Sequence, residues 1–275
     1  MLSPTSLTKE SQINMSKKVI WITGASSGIG EASAYKFVKE GYQVILSARN
    51  QESLEKVKSS SAHPENCKVL PLDLIDQDSF EEKTRQAITA FGHIDMILHN
   101  GGISQRSLIK DTPIEVDRKL MEVNFFGTVA LTKALLPHFI ARKSGQFGVI
   151  SSLVGKFGSP YRSSYAAAKH ALHGFFESLR LEHFEENIAV TMICPGFIKT
   201  DVSKNALTAD GTPLNEMDHA QENGMSAEDC AKEIFRALEK KKEEVYIGGK
   251  ETMGIYLKRF VPTIFTKILR NSEVR

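Results

Sequence analysis

The sequence predicts an α/β fold, a doubly wound and mostly seven-stranded parallel sheet with helices on both faces. Three observations predict it. Short apolar runs alternate with amphipathic stretches from residue 19 onward. The runs are rich in Val and Ile and mostly lack polar alternation, as strands covered on both faces should. Glycines stand where helices have to stop, at Gly41 and Gly92.

The first strand is Val19–Ile22, ending in Thr23-Gly24, and a helix follows over 29–39. Val44-Ile45-Leu46 is the second strand, with a helix over 52–59. Lys68-Val69-Leu70 is the third, followed by a helix over 79–91. Met96-Ile97-Leu98 is the fourth. Pro113 opens a long helical pattern carrying Val116, Leu120, Val123, Val129, Leu131 and Leu135. Val149-Ile150 is the fifth strand, 163–184 a helix, and Ile188–Cys194 the sixth strand. A helix over 227–238 and the strand Val245-Tyr246-Ile247 complete the alternation. Repeated strand–helix units of this kind build a parallel sheet.

The chain has 275 residues, 41% hydrophobic and 25% charged, which suits one large domain with a sizeable core. A formal net charge of +2 gives no argument for nucleic acid. Cys67, Cys194 and Cys230 are far apart and show no C-x-x-C spacing, so neither a disulfide framework nor a metal site is expected. A reducing, cytoplasmic setting is compatible with that. No apolar run is expected to cross a bilayer. Residues 1–17 read as a flexible polar leader, within which Met15 is an alternative start. Residues 18–250 read as a single catalytic domain, 201–225 as its lid, and 251–275 as an amphipathic tail.

Three places carry chemistry. Thr23-Gly24-Ala25-Ser26-Ser27-Gly28-Ile29-Gly30 joins the first strand to the first helix. Its glycines allow close approach of a pyrophosphate, and the helix start offers free N–H groups. At the end of the second strand stand Ser47-Ala48-Arg49-Asn50, with no acid to accept a ribose 2′-hydroxyl. Arg49 instead suits a 2′-phosphate, so NADP(H) is preferred over NAD(H). Asp73, after the third strand, either accepts from an adenine amino group or caps the next turn. Tyr165 and Lys169 are four apart and share a helix face, and Ser152 comes from a preceding strand end. A nearby ammonium is expected to lower the phenol pKa, and the serine to hold a carbonyl oxygen. Of Ser151 and Ser152, the spacing favours Ser152. His170 and His173 read as surface or packing residues.

Taken together, these residues resemble the single-domain branch of the short-chain dehydrogenases/reductases over about residues 18–250. The Thr-Gly-x-x-x-Gly-x-Gly motif is complete at 23–30. The family's Asn-Asn-Ala-Gly is here His99-Asn100-Gly101-Gly102, a departure that touches local strand bracing. Asn124 matches the family's helix asparagine, and Pro195-Gly196-Phe197-Ile198-Lys199-Thr200 matches its segment near nicotinamide. The resemblance implies a Rossmann-type fold and a catalytic set of Asn124, Ser152, Tyr165 and Lys169. In that set Tyr165 moves the proton, Lys169 holds the nicotinamide ribose, Ser152 orients the substrate oxygen and Asn124 holds a relay water. Gly24, Ser26, Ser27, Gly28, Ile29, Gly30, Arg49, Asn50, Asp73, Leu74, Asn100, Gly101, Ile198 and Thr200 are the implied cofactor contacts, together with Tyr165 and Lys169. No metal is required.

The expected reaction interconverts a secondary alcohol and a carbonyl on a small-molecule substrate. Leu207, Leu214, Met217 and Met225 are candidates either for an apolar pocket or for lid packing. In the tail, Leu257, Phe260, Val261, Ile264, Phe265, Ile268 and Leu269 form a stripe flanked by Lys258, Arg259, Lys267 and Arg270. Such a stripe packs on its own domain or a sister subunit, or lies on an anionic membrane. Similar tails in lipid- and steroid-directed relatives point to a lipophilic substrate. A homodimer or homotetramer is expected, with peripheral membrane contact through 255–270 as the other use of the tail. Two rival functions remain at this level. One is a nucleotide-sensing protein without turnover, against which the intact Ser152–Tyr165–Lys169 set argues. The other is a nucleotide-sugar epimerase or dehydratase, for which residues 200–275 look too short.

Overall fold

The computed structural model describes residues 17–270. The expected leader, apart from Lys17, and residues 271–275 of the tail lie outside that range. Seven strands form one parallel sheet: β1 (Val19–Thr23), β2 (Gln43–Ser47), β3 (Cys67–Val69), β4 (Met96–His99), β5 (Gly145–Ile150), β6 (Ile188–Pro195) and β9 (Glu244–Ile247). Their order is β3-β2-β1-β4-β5-β6-β9. The order reverses direction between β1 and β4, where Ile20 pairs with Val44 on one side and Met96 on the other. Ligands of open α/β sheets bind beyond the carboxyl ends of strands at such a switch point.

Alternate residues of each strand face opposite layers. Val19, Trp21, Ile45, Ile97 and Phe147 pack against α3 (Phe80–Phe91), α5 (Gly127–Arg142) and α6 (Ser163–Glu182). Ile20, Ile22, Val44, Leu46, Met96 and Leu98 pack against α1 (Gly28–Lys39), α2 (Gln51–Ser60) and α8 (Ala227–Glu239). The free thiols of Cys67, Cys194 and Cys230 are buried, and burial pushes each up in pKa, the latter two to about 12.

The structure departs from the sequence expectation in several places. β5 starts at Gly145, four residues before the expected Val149. Glycine hides this part of the strand because α5 and α8 press on it. A Cβ on Gly145 would come within 2.1 Å of Phe139, and one on Gly148 within 2.8 Å of Leu238. The long helix after Pro113 is α4 (Ile114–Met121) and α5, joined by a π-helical turn at Glu122–Phe126. Contrary to the expectation for apolar runs, residues 114–142 are long and apolar enough to cross a membrane by length and composition. Their Leu131, Leu135 and Phe139 are fully buried in the sheet's core, which accounts for that apolarity. Two short strands, β7 (Ile198–Lys199) and β8 (Met225–Ser226), pair beside α7 (His219–Glu222) and were not expected.

Candidate active site

The glycine turn sits at the switch point, and its shape is fixed by crowding. A Cβ on Gly30 would meet the Gly24 carbonyl oxygen at 2.1 Å, and one on Gly24 would meet Gly101 Cα at 2.8 Å. Gly24 and Gly28 have φ of +64° and +57°. Asn100 braces the turn, its amide donating to the carbonyls of Thr23 and Gly24 at 3.1 Å each. The N–H groups of Asn100 and Gly101 both donate to Thr23 Oγ1. Ser27 caps α1 through its backbone only, with no side-chain bond to the first turn. The helix start therefore presents bare donors and a positive dipole end, which fits a phosphate. Thr200 lies beside Gly28, within 3.1 Å of the position its Cβ would take, and Ile198 is buried behind. These residues fit a dinucleotide.

Around that turn the other expected contacts spread along the strand ends. Arg49 is exposed after β2 and takes part in no ion pair among the described residues. Asn50 caps α2, accepting from Ser53 N–H at 3.0 Å. Asp73 accepts from Ile75 N–H at 3.1 Å, the turn-capping use. Leu74 is buried, with its Cδ1 2.9 Å from where a Cβ on Gly101 would stand. Ser26 is partly buried and Ser27 exposed in the turn itself.

The catalytic set gathers at the ends of β5 and β6. Ser152 follows β5, with its hydroxyl 3.4 Å from the Pro195 carbonyl, and it lines a cavity of about 270 Å³. Ser151 turns the other way and bonds His173 Nε2 at 3.0 Å, so the two serines have separate uses. Lys169 is buried on α6 and donates to the Ile150 carbonyl at 2.8 Å. Its nitrogen lies 5.6 Å from the centre of the Tyr165 ring. Burial pulls Lys169 down to about 8, against the opposing influence of Cys194. Asn124 is buried in the π-helical turn and exchanges two 2.9 Å bonds with the backbone of Ile103. A Cβ on Gly102 would touch both Asn124 Oδ1 and, at 3.8 Å, Lys169 Nζ, so these groups flank one small space.

The surroundings of Tyr165 add charged groups that the sequence reading did not name. Burial pushes its phenol up, and the opposing influences are Arg162 first, then the Ser152 hydroxyl and Arg106. The Lys169 ammonium, held by the Ile150 carbonyl, stays beside the ring. Arg162, Arg106 and the residues around them escaped sequence reading. Gln105 is fully buried, and its carboxamide oxygen accepts from the N–H groups of Ser164 and Tyr165, capping the start of α6. Asp218 binds both arginines. Glu251 accepts from Phe197 N–H at 3.2 Å and fills the space beside Gly196. The only sequence sign was a run of polar residues, Ser104 to Ser107, directly after the Asn100 motif.

Segment 201–225 meets the body through Leu207. Leu207 N–H donates to Ser104, Arg106 N–H donates to Leu207, and Leu207 packs with Val116, Leu120 and Tyr165. None of Leu207, Leu214, Met217 or Met225 lines the cavity beside Ser152. Met225 is in β8 and packs with the α1–α8 layer. The apolar wall comes from the tail. α9 (Met253–Phe260) and α10 (Pro262–Arg270) turn Leu257, Phe265 and Leu269 toward Leu153, Val154 and Phe157. The expected single stripe is split, because Phe260, Ile264 and Ile268 are more than half exposed. His99 braces β4 in its own way, bonding Thr132 Oγ1 at 2.9 Å and stacking on Phe147. His173, Glu177 and Glu244 come within 4.8 Å of one another, a grouping the sequence did not suggest. Lys156 already pairs with Glu244 at 2.8 Å, and His173 is bonded to Ser151.

A family model described as short chain dehydrogenase matches residues 18–211. The chain is 41% identical over 259 residues to dehydrogenase/reductase SDR family member 7B of Rattus norvegicus, covering 91% of this chain and 80% of the relative. It is 40% identical over 252 residues to human dehydrogenase/reductase SDR family member 7, covering 89% and 74%. Among solved structures, an alcohol dehydrogenase from Thermococcus sibiricus in complex with 5-hydroxy-NADP superposes with a TM-score of 0.71 at 26% identity, covering 85% of this chain and 97% of that one. A short-chain dehydrogenase/reductase from Burkholderia phymatum in complex with NAD shares the fold, with a TM-score of 0.79 at 18% identity over 90% and 95%. Fold, site and relatives define the class: an oxidoreductase of Rossmann architecture that uses a nicotinamide cofactor. Within that class, the chain belongs to the short-chain dehydrogenase family.

Proposed function

We propose that the protein is an NADP(H)-dependent dehydrogenase/reductase that interconverts a secondary alcohol and a carbonyl on a lipophilic substrate. The observation that carries this reading is the cavity itself. It is lined by Ser152 together with Phe157, Leu257, Phe265 and Leu269. Such a space suits an apolar chain or ring system with one oxygen to be gripped. The bound cofactor supplies or accepts the hydride. Ser152 holds the substrate oxygen, and Tyr165 gives it a proton in reduction or takes one in oxidation. Lys169, Ile198 and Thr200 hold the nicotinamide end, and Asn124 keeps the loop after β4 in place beside Lys169. The glycine turn, with Leu74, Asn100 and Gly101 around it, shapes the pyrophosphate cradle. The free guanidinium of Arg49, with no acid at the end of β2, supports NADP(H) over NAD(H).

We further propose a cytoplasmic protein whose tail sits peripherally on an anionic membrane. Tyr256, Phe260 and Ile264, which do not line the cavity, are exposed beside Lys258, Arg259 and Lys267. A sister subunit covering the same face is the competing arrangement.

The test is a panel of lipophilic and small carbonyls followed by NADPH absorbance, with Tyr165→Phe as the comparison. Turnover is expected to fall by about 10²–10⁴-fold in the variant while NADPH binding stays unchanged. Undiminished turnover in the variant would remove Tyr165 as the acid. Cofactor binding with no hydride transfer across the whole panel would favour a nucleotide sensor.

A further inference from the structure

We propose that Arg106, Arg162 and Asp218 form a charged clasp that sets how readily Tyr165 gives up its proton, so that they are positioning residues for the proton-transfer step. The proposal rests on the reading of Tyr165 as the acid. Asp218 Oδ2 accepts from Arg106 Nη2 at 2.8 Å and from Arg162 Nη2 at 3.1 Å. The three side chains are 5%, 9% and 2% exposed. Two guanidinium groups thus share one carboxylate, leaving one excess positive charge out of water. The Nε atoms of both arginines are buried without a hydrogen-bond partner. An arrangement made only to pin two segments together needs one arginine, and burying a second is costly. The excess charge calls for a use beyond fastening.

Its location supplies one. Arg162 immediately precedes α6, three residues before Tyr165, and also lines the cavity that holds Ser152. Arg106 belongs to the segment whose Gln105 caps that same helix at Ser164 and Tyr165. Asp218 comes from the segment over the substrate side, where its other oxygen caps α7 at Ala220. Further charges face this region from the elements packed around it. Lys169 is on α6 but turned to Ile150, and Asp117 on α4 is held by Ser164. Arg162 and Arg106 both favour the phenolate against burial, and Lys169 Nζ lies 5.6 Å from the ring centre. Burial, and then repulsion from Arg106, hold Arg162 itself down at about 10, as an over-cationic pair requires. Asp218 pairs with both arginines, so removing its charge leaves them uncompensated.

The experiment titrates the ultraviolet phenolate absorbance of Tyr165 in the full chain. Each protein is measured against the same protein carrying Tyr165→Phe, so the difference isolates one phenol. Asp218→Asn keeps the shape and removes the negative charge, and is expected to move the titration down by about one pH unit. Arg162→Gln is expected to move it up, or beyond the alkaline unfolding of the protein, and Arg162→Lys to restore it. Arg106→Gln gives the same upward reading if Arg162→Gln does not fold. A clasp that is only structural loses the same tie in Asp218→Asn and Arg162→Gln. Shifts of the same sign in both, or none in either, would overturn the proposal. Turnover of Tyr165→Phe alone tests the reading beneath it, so the two failures are distinguishable.

Discussion

The two halves of the strand-end crest are built on different principles. On the β1–β4 side the site is backbone. Gly24, Gly28, Gly30 and Gly101 leave no room for side chains, and Asn100 and Thr23 lock the turn through main-chain groups. On the β5–β9 side the site is side chains brought from afar. Asp218 reaches Arg106 across 112 positions of sequence, and α10 lays Phe265 on Phe157 with ring centres 4.9 Å apart. The first half recognises a part common to many ligands, a pyrophosphate, so its geometry can be rigid. In the proposed function the second half takes the substrate, and its contacts are the kind that single substitutions retune.

Gly30→Ala tests the rigid half with the largest effect. Its Cβ would stand 2.1 Å from the Gly24 carbonyl oxygen, so the turn has to shift. Dinucleotide affinity by fluorescence titration is expected to fall by about a hundredfold or more, with stability down by about 1–3 kcal/mol. Unchanged affinity would show that the turn is softer than its packing implies. Arg49→Ala comes next and sharpens the same half. One charge-assisted fork is worth about 1.5–3 kcal/mol, so NADPH binding should weaken roughly 10- to 100-fold while NADH binding barely changes. Equal losses for both would remove the 2′-phosphate assignment. Phe265→Ala is the smallest and addresses the adaptable half. The KM for lipophilic carbonyls should rise by about tenfold or less, with that for small carbonyls little changed. A matching rise for small carbonyls would place Phe265 outside the substrate's reach.

The same division explains what the sequence disclosed. The seven strands were legible because period, turn glycines and helix stops are local signals. The glycine turn and the Tyr165–Lys169 pair were legible for the same reason, since their spacing along the chain is their geometry. The start of β5 was not, because Gly145 and Gly148 serve helices pressing from either side and carry no strand signal. The partnership of Gln105 with α6, and of Asp218 with two arginines, depends on tertiary approach that no periodicity encodes. The tail's apolar positions were found but not their division between cavity and solvent. Val261, with φ of −138° and ψ of 60°, breaks the helix and gives α10 a new direction at Pro262.

The π-helical turn at Glu122–Phe126 has a mechanical consequence for the rod that contains it. Leu120 and Leu131 are eleven residues apart, and on an unbroken α-helix they would point about 20° from each other. Here Leu120 meets Leu207 while Leu131 belongs to the core beneath the sheet. One surplus residue, advancing the screw by about 100°, lets a single rod serve two masters. Excising a residue from 122–126 would leave the two leucines ten apart on a regular α-helix, about 80° out of phase, so both stripes would keep their aim while the widened turn that holds Asn124 is lost.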